Sequence, residues 1–231
     1  SEYPGPCWDP ASPLRVSVAE QAAFVWQAAA EGMAAGAELM VLFQLYDDCG
    51  NGHESYDAFG VVRNHEANQC WTPPNQACWR FDPARAGSAR PAYDALRLLA
   101  RETAGASVLG SATGAGWRRL TLGRAPGTRV TIAWSAGGQA RTVTVAAASQ
   151  LATLHALDDS GNVQTRVAQP LDGAYPLRLP PATNRSGPGG APLTDGAPVV
   201  LVEIGVPPSA LVRAGASARG ADRVGEQGVR A

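Results

Sequence analysis

The chain has 231 residues, 45% of them hydrophobic and 17% charged, with a net charge of −1. This is enough apolar material for a folded core, and the charge balance argues against a broad electrostatic grip on nucleic acid or anionic lipid. No run approaches the roughly 18 apolar residues of a membrane span, and no basic start with an apolar run follows Ser1, so no signal peptide is expected.

Residues 1–16 read as irregular, punctuated by Pro4, Pro6, Pro10 and Pro13. Ser17-Val-Ala-Glu20 has the form of a capping box, in which the serine hydroxyl covers a free N–H and the glutamate reaches back. A helix is predicted from Val18 to about Ala35, with Val18, Ala22, Val25, Ala29 and Met33 at helical spacing. Gly36 supplies a left-handed stop. Leu39–Tyr46 is a nearly continuous apolar run, the pattern of a parallel strand buried on both faces. It breaks at Asp47-Asp48-Cys49-Gly50.

Residues 49–90 read as a long loop, a feature that in compact domains usually serves function. Pro91 then opens a second helix to about Thr103, with proline at a tolerated first-turn position. Residues 105–116 read as a small, polar linker. Short β segments follow at Trp117–Leu122, Arg129–Trp134, Thr142–Ala147, Ala152–Leu157, Gln164–Ala168, Tyr175–Leu179 and Val199–Ile204. Turn signals between them, such as Asp158-Asp-Ser-Gly-Asn162, point to an antiparallel sandwich over 117–205. Residues 181–197 are a Pro/Gly-rich loop, and 206–231 read as a disordered tail.

The four cysteines, Cys7, Cys49, Cys70 and Cys78, all lie in loop-like sequence, which suggests disulfides and an oxidising compartment. Cys70 with Cys78 closes a short loop, leaving Cys7 for Cys49. Zinc is the competing reading, with His53 and His65 near the cysteines. The close cysteine pairs of structural zinc, about two to four residues apart, are missing, so no metal is expected. Asn184-Arg-Ser186 has the form of a glycosylation triplet.

The order of Ser1-Glu2-Tyr3, the helix opening Glu20-Gln-Ala-Ala-Phe24, Gln44-Leu-Tyr-Asp-Asp48, Tyr56-Asp-Ala-Phe-Gly-Val-Val-Arg63 and Arg90-Pro-Ala-Tyr-Asp-Ala-Leu96 resembles the end of retaining clan-A glycoside hydrolases of the β-xylosidase and cellulase-like type. The resemblance covers about residues 1–205. It implies α/β plus all-β architecture: residues 1–104 as the C-terminal end of a (β/α)8 barrel, then an accessory antiparallel β-sandwich. The segment 64–89 is longer than the pattern requires, and the first six barrel strands, with the Asn-Glu pair of the acid/base, are absent from this sequence.

Retaining glycosidases use two carboxyl groups about 5–5.5 Å apart, and barrels hold such residues where the βα loops meet. The resemblance implies Glu2 as nucleophile; the alternative is a solvated terminal residue. Tyr46, Asp47 and Asp48, at the end of the apolar run, are candidates for sugar contact, against plain roles in strand capping and core packing. Trp8, with Trp71 and Trp79, offers faces for stacking on sugar rings, or packs against disulfides. The expected partner is a carbohydrate, in a secreted protein, with no cofactor, nucleic acid or membrane. The alternative is a non-catalytic sandwich that binds carbohydrate or braces a barrel.

Overall fold

The computed structural model describes residues 16–42, 45, 60–62, 88–124, 126–184, 192, 194–207 and 209–211. Helix α1 (Val18–Ala34) begins at the capping box. Ser17 Oγ accepts from the Glu20 N–H, and the Glu20 carboxylate accepts from the Ser17 N–H at 2.7 Å. Helix α2 (Pro91–Thr103) starts on its proline. The two helices pack together through Ala22, Val25, Trp26, Ala95 and Leu99. Trp26 Nε1 donates to Ala95 O at 2.7 Å and ties one helix to the other.

Eight strands follow: β1 (Ser107–Gly114), β2 (Trp117–Arg124), β3 (Thr128–Ser135), β4 (Arg141–Ala146), β5 (Ala152–Leu157), β6 (Val163–Ala168), β7 (Ala174–Leu179) and β8 (Val199–Ile204). Six form one sheet in the order β1-β2-β3-β8-β5-β6, and β4 pairs with β7 in a second. Each of these pairings is antiparallel. The seven strands expected over 117–205 are all present. Residues 107–114, expected within a linker, instead form β1, whose small polar residues register against β2 from Ser107↔Gly123 to Gly114↔Trp117.

The architecture has three layers. The helix pair covers one face of the large sheet, packing on Leu120, Leu122, Val130, Ile132, Trp134, Val200 and Val202. The small sheet covers the other face through Val143, Val145, Tyr175, Leu177 and Leu179, against Ala133, Leu154, Val199 and Leu201. Strands β3 and β8 therefore lie in the middle layer and are buried on both sides, β3 along its whole length.

That burial takes in polar residues that alternation along β3 would turn outward. Arg129 and Glu203 pair across β3 and β8, with Arg129 Nε 2.6 Å from Glu203 Oε2. Glu203 Oε1 also accepts from the N–H groups of Ala148 and Ser149, at 2.7 and 3.1 Å. A carboxylate taken out of water needs this many donors. Tyr175 adds a hydrogen bond from its hydroxyl to Ser149 O at 2.8 Å, and burial followed by the Glu203 charge raises its pKa.

Two expectations about the chain's first half change. Leu39–Leu42 form no strand, and Leu39 and Val41 are 80% and 82% exposed. No strand lies beside them among the described residues, so nothing supplies the ladder or the cover that a two-sided strand requires. Residues 49–90 are not loop throughout: Val61 and Val62 are buried against the helices, and Val62 bridges to Ala89. At the other end, Val206 is buried and its N–H reaches Gly127 O at 2.8 Å, so the ordered fold extends past the expected start of the tail.

Candidate functional site

Glu2, Trp8, Tyr46, Asp47 and Asp48, and the cysteines Cys7, Cys49, Cys70 and Cys78, lie outside the described residues, as do Trp71 and Trp79. The described residues nearest to them in sequence are joined by hydrogen bonds. Val62 N–H donates to Leu45 O at 2.9 Å, and Arg90 N–H donates to Val61 O at 2.9 Å. The Gly60 carbonyl accepts from Gln21 Nε2 at 3.2 Å and from the Arg90 guanidinium. Arg90 is itself buried. Leu45, directly before Tyr46-Asp47-Asp48, is thus stitched to Gly60–Val62, and these to Ser88–Arg90 at the start of α2. Val62 and Ala89 form a backbone bridge, and the buried Arg90 guanidinium reaches Gly60 O beside it.

Helix α1 is clamped to the sandwich by the Pro/Gly-rich segment after β7. Glu20, beyond its capping role, accepts from Thr183 Oγ1 at 2.8 Å and Asn184 Nδ2 at 3.2 Å. Burial opposes ionisation of Glu20, but the hydrogen bonds from Ser17, Thr183 and Asn184 outweigh it and lower its pKa. Gln27 Nε2 donates to Gly196 O at 2.7 Å. Asp195 accepts from Trp134 Nε1 at 3.3 Å and from the Gly137 N–H at 3.1 Å. Only glycine fits at 196, where an added Cβ would lie 2.0 Å from Pro180 O. Asn184 is buried with its amide engaged by Glu20, which removes it as a glycan acceptor in this fold.

The β5–β6 turn forms a third clamp. Asp158 Oδ1 accepts from the Ser160 and Asn162 N–H groups, both at 2.9 Å, and so shapes the turn. Gly161 there has φ +83° and lies against α1: a Cβ would sit 2.6 Å from Ala19 Cα. None of these clamps was apparent from sequence. Their partners are distant in the chain, and only the turn chemistry of Asp158–Asn162 gave a local signal.

The sandwich aromatics offer no open platform for a sugar. Trp134 and Tyr175 are 2% and 1% exposed. Trp117 lies flat on Gly114, and the Arg119 guanidinium stands 5.7 Å from its ring centroid. His155 is buried in β5 with Nδ1 2.8 Å from Thr165 Oγ1. No group of three or more His, Cys, Asp or Glu that could hold a metal occurs among the described residues. No helix there is long and apolar enough to cross a membrane.

Neither a family model nor a curated protein matches the sequence. Among solved structures, the chain is similar to a family 39 glycoside hydrolase from the gut symbiont Bacteroides cellulosilyticus WH2, at 15% identity and a TM-score of 0.46. The match covers 78% of this chain and 29% of that one, so the chain spans under a third of the length of that hydrolase.

Proposed function

We propose that this chain is the C-terminal region of a secreted retaining glycoside hydrolase. Residues 1–104 supply the last strand–helix units of its barrel, and the sandwich braces them. The observation that carries this reading is the contrast between α1 and the segment that follows it. One side of α1 is buried in a shared core with the sandwich, alongside Trp26. After the helix, Leu39-Met40-Val41-Leu42 stand exposed, an apolar run with the composition of a central barrel strand. Large contiguous apolar exposure marks a surface meant to be covered, and neighbouring parallel strands would cover it.

In this reading Glu2 is the nucleophile at the barrel mouth, and Tyr46, Asp47, Asp48 and Trp8 contribute to the sugar site. Disulfides formed by Cys7, Cys49, Cys70 and Cys78 hold its loops. The acid/base belongs to strands outside this chain. The sandwich acts as a brace rather than a carbohydrate-binding module. This assignment is supported by its buried tryptophan and tyrosine, and by the three sets of hydrogen bonds and close contacts that fasten it to α1.

The test compares residues 1–231 with a protein extended by the upstream reading frame, using a panel of aryl glycosides and activated 2-deoxy-2-fluoro glycosides. The extended protein should turn over one aryl glycoside and acquire a covalent sugar on Glu2, located by peptide mass spectrometry. Residues 1–231 alone should do neither. A label on another carboxylate, or full activity after Glu2→Gln, overturns the assignment.

A further inference from the structure

A single half-buried carboxylate, that of Glu20, joins α1 to the connection between β7 and β8. Its Oε2 accepts from the Ser17 N–H at 2.7 Å and from Asn184 Nδ2 at 3.2 Å, and its Oε1 accepts from Thr183 Oγ1 at 2.8 Å. Thr183 and Asn184 belong to the start of the connection. Its other end is held by groups that do not titrate: Gly196 O accepts from Gln27 Nε2 at 2.7 Å, and the Gly196 N–H donates to Ser135 O at 3.0 Å.

All three partners donate, so the site is built for a charged acceptor. A carboxyl that gains a proton presents an O–H in place of one acceptor oxygen. On Oε2 that proton meets a backbone N–H and an amide NH2, neither of which can accept it. On Oε1 it meets the Thr183 hydroxyl, which must turn round. In both cases the remaining bonds become neutral ones, about half as strong as charge-assisted bonds. The helix start does not share this dependence. Ser17 Oγ accepts from the Glu20 N–H, a bond that protonation of the side chain leaves in place, and the capping box takes neutral glutamine as well as glutamate.

The charged groups on the surrounding elements have other partners. Glu31, further along α1, pairs with Arg118 of β2, and on α2 Asp94 pairs with Arg97 while Arg90 reaches Gly60 O. On the β5–β6 turn Asp158 accepts from Ser160, Asn162 and Gln164, with Asp159 beside it. Asp195, on the connection itself, accepts from Trp134 and Gly137. Burial raises the Glu20 pKa, and the hydrogen bonds from Ser17, Thr183 and Asn184 outweigh it, holding the group below its ordinary value of 4.5. Its contribution is therefore complete above that value and is lost as pH falls through the lower folded one.

We propose that the Glu20 carboxylate is an acid-sensitive latch. Ionised, it fastens Thr183 and Asn184 at the start of the β7–β8 connection to α1. Protonated, it releases them while α1 and the Gly196 end of the connection stay in place. The inference does not rest on the glycosidase reading and would stand if that reading failed.

An NMR titration of residues 1–231 from about pH 7 to about pH 3 tests it, following the Glu20 carboxyl carbon and the Asn184 side-chain amide. Both should move with one shared midpoint below 4.5. On the acid side the Asn184 amide protons should exchange about tenfold faster, after correction for the intrinsic rate, as loss of a charge-assisted bond requires. The far-ultraviolet circular dichroism of the helices should hold through that midpoint. Glu20→Gln, which fits the capping box without a charge, should show the fast exchange already at neutral pH and no titration of Asn184. Asp195→Asn should leave the Asn184 midpoint where it is. Thr183→Val takes one donor from the carboxylate and should raise the Glu20 midpoint. Flat protection of Asn184 across the range, an Asn184 midpoint that survives Glu20→Gln, or loss of the helices at the same midpoint overturns the latch. If Glu20→Gln unfolds, Thr183→Val carries the comparison, and an unmoved Glu20 midpoint there counts against it.

Discussion

Trp26 is the point at which the helix pair joins the sandwich. Its side chain is fully buried, and it shares one continuous core with Leu120, Ile132 and Val200 of the large sheet. Trp26→Ala removes the indole from that core, a truncation that costs about 3–5 kcal/mol in buried sites. Loss of the 2.7 Å hydrogen bond to Ala95 O contributes about 1 kcal/mol within that range. Against a domain stability of about 5–15 kcal/mol this is a large fraction. Trp26→Phe keeps most of the apolar volume and should cost only about 1–2 kcal/mol. Urea unfolding followed by far-ultraviolet circular dichroism, with hydrogen exchange on α2 and β3, measures both. Because the helices and the sheet share the core, Trp26→Ala should lower protection in β3 as well as in the helices. If β3 protection and the sheet transition stay unchanged while the helices melt away, the two layers are energetically separate and the bracing argument fails.

Glu203→Gln should destabilise by about 3–5 kcal/mol, because it leaves the Arg129 guanidinium buried without its counter-charge; pairing Glu203→Leu with Arg129→Met should recover much of the loss in the same urea assay. Burial holds the His155 pKa below its ordinary value, Glu102 opposes this and Arg101 adds to it. The folded state therefore favours the neutral ring. Its stabilising contribution is complete above the unfolded pKa of about 6.5 and declines as pH falls through the lower folded value. His155→Gln should flatten that part of the stability–pH curve, and an unchanged slope refutes the assignment. Leu39→Asp with Val41→Asp should change the stability of residues 1–231 by no more than about 0.5 kcal/mol, since both are exposed, while lowering light scattering. In the extended protein the same pair should abolish folding, and tolerance there counts against a barrel strand.

Much of the local structure was legible in the residues. Ser17 and Glu20 mark the start of α1, Pro91 marks α2, and the alternation of Val130, Ile132 and Trp134 gives both a strand and a buried tryptophan. Each is a signal complete within one turn of helix or one strand. The candidate site was read from the order of motifs around Glu2, Trp8 and Tyr46–Asp48, which lie outside the described residues. Strand β1 escaped notice because Ser107–Gly114 is mostly small or polar, with Val108 and Leu109 as its apolar residues; it pairs with β2 along its length.

What the tertiary structure alone decided is how these elements depend on one another. Trp26 meets Ala95, 69 residues away, and Gln27 meets Gly196, 169 residues away. Local periodicity carries no information about such pairs. The second face of β3 is the clearest case. Its sequence alternates apolar with polar, and an exposed polar face follows from that pattern alone. Packing the small sheet over it turned Arg129, Thr131 and Glu203 inward, so that the carboxylate required a guanidinium and two backbone donors. The sequence determined that these strands form. The third layer determined that their polar side would be an interior.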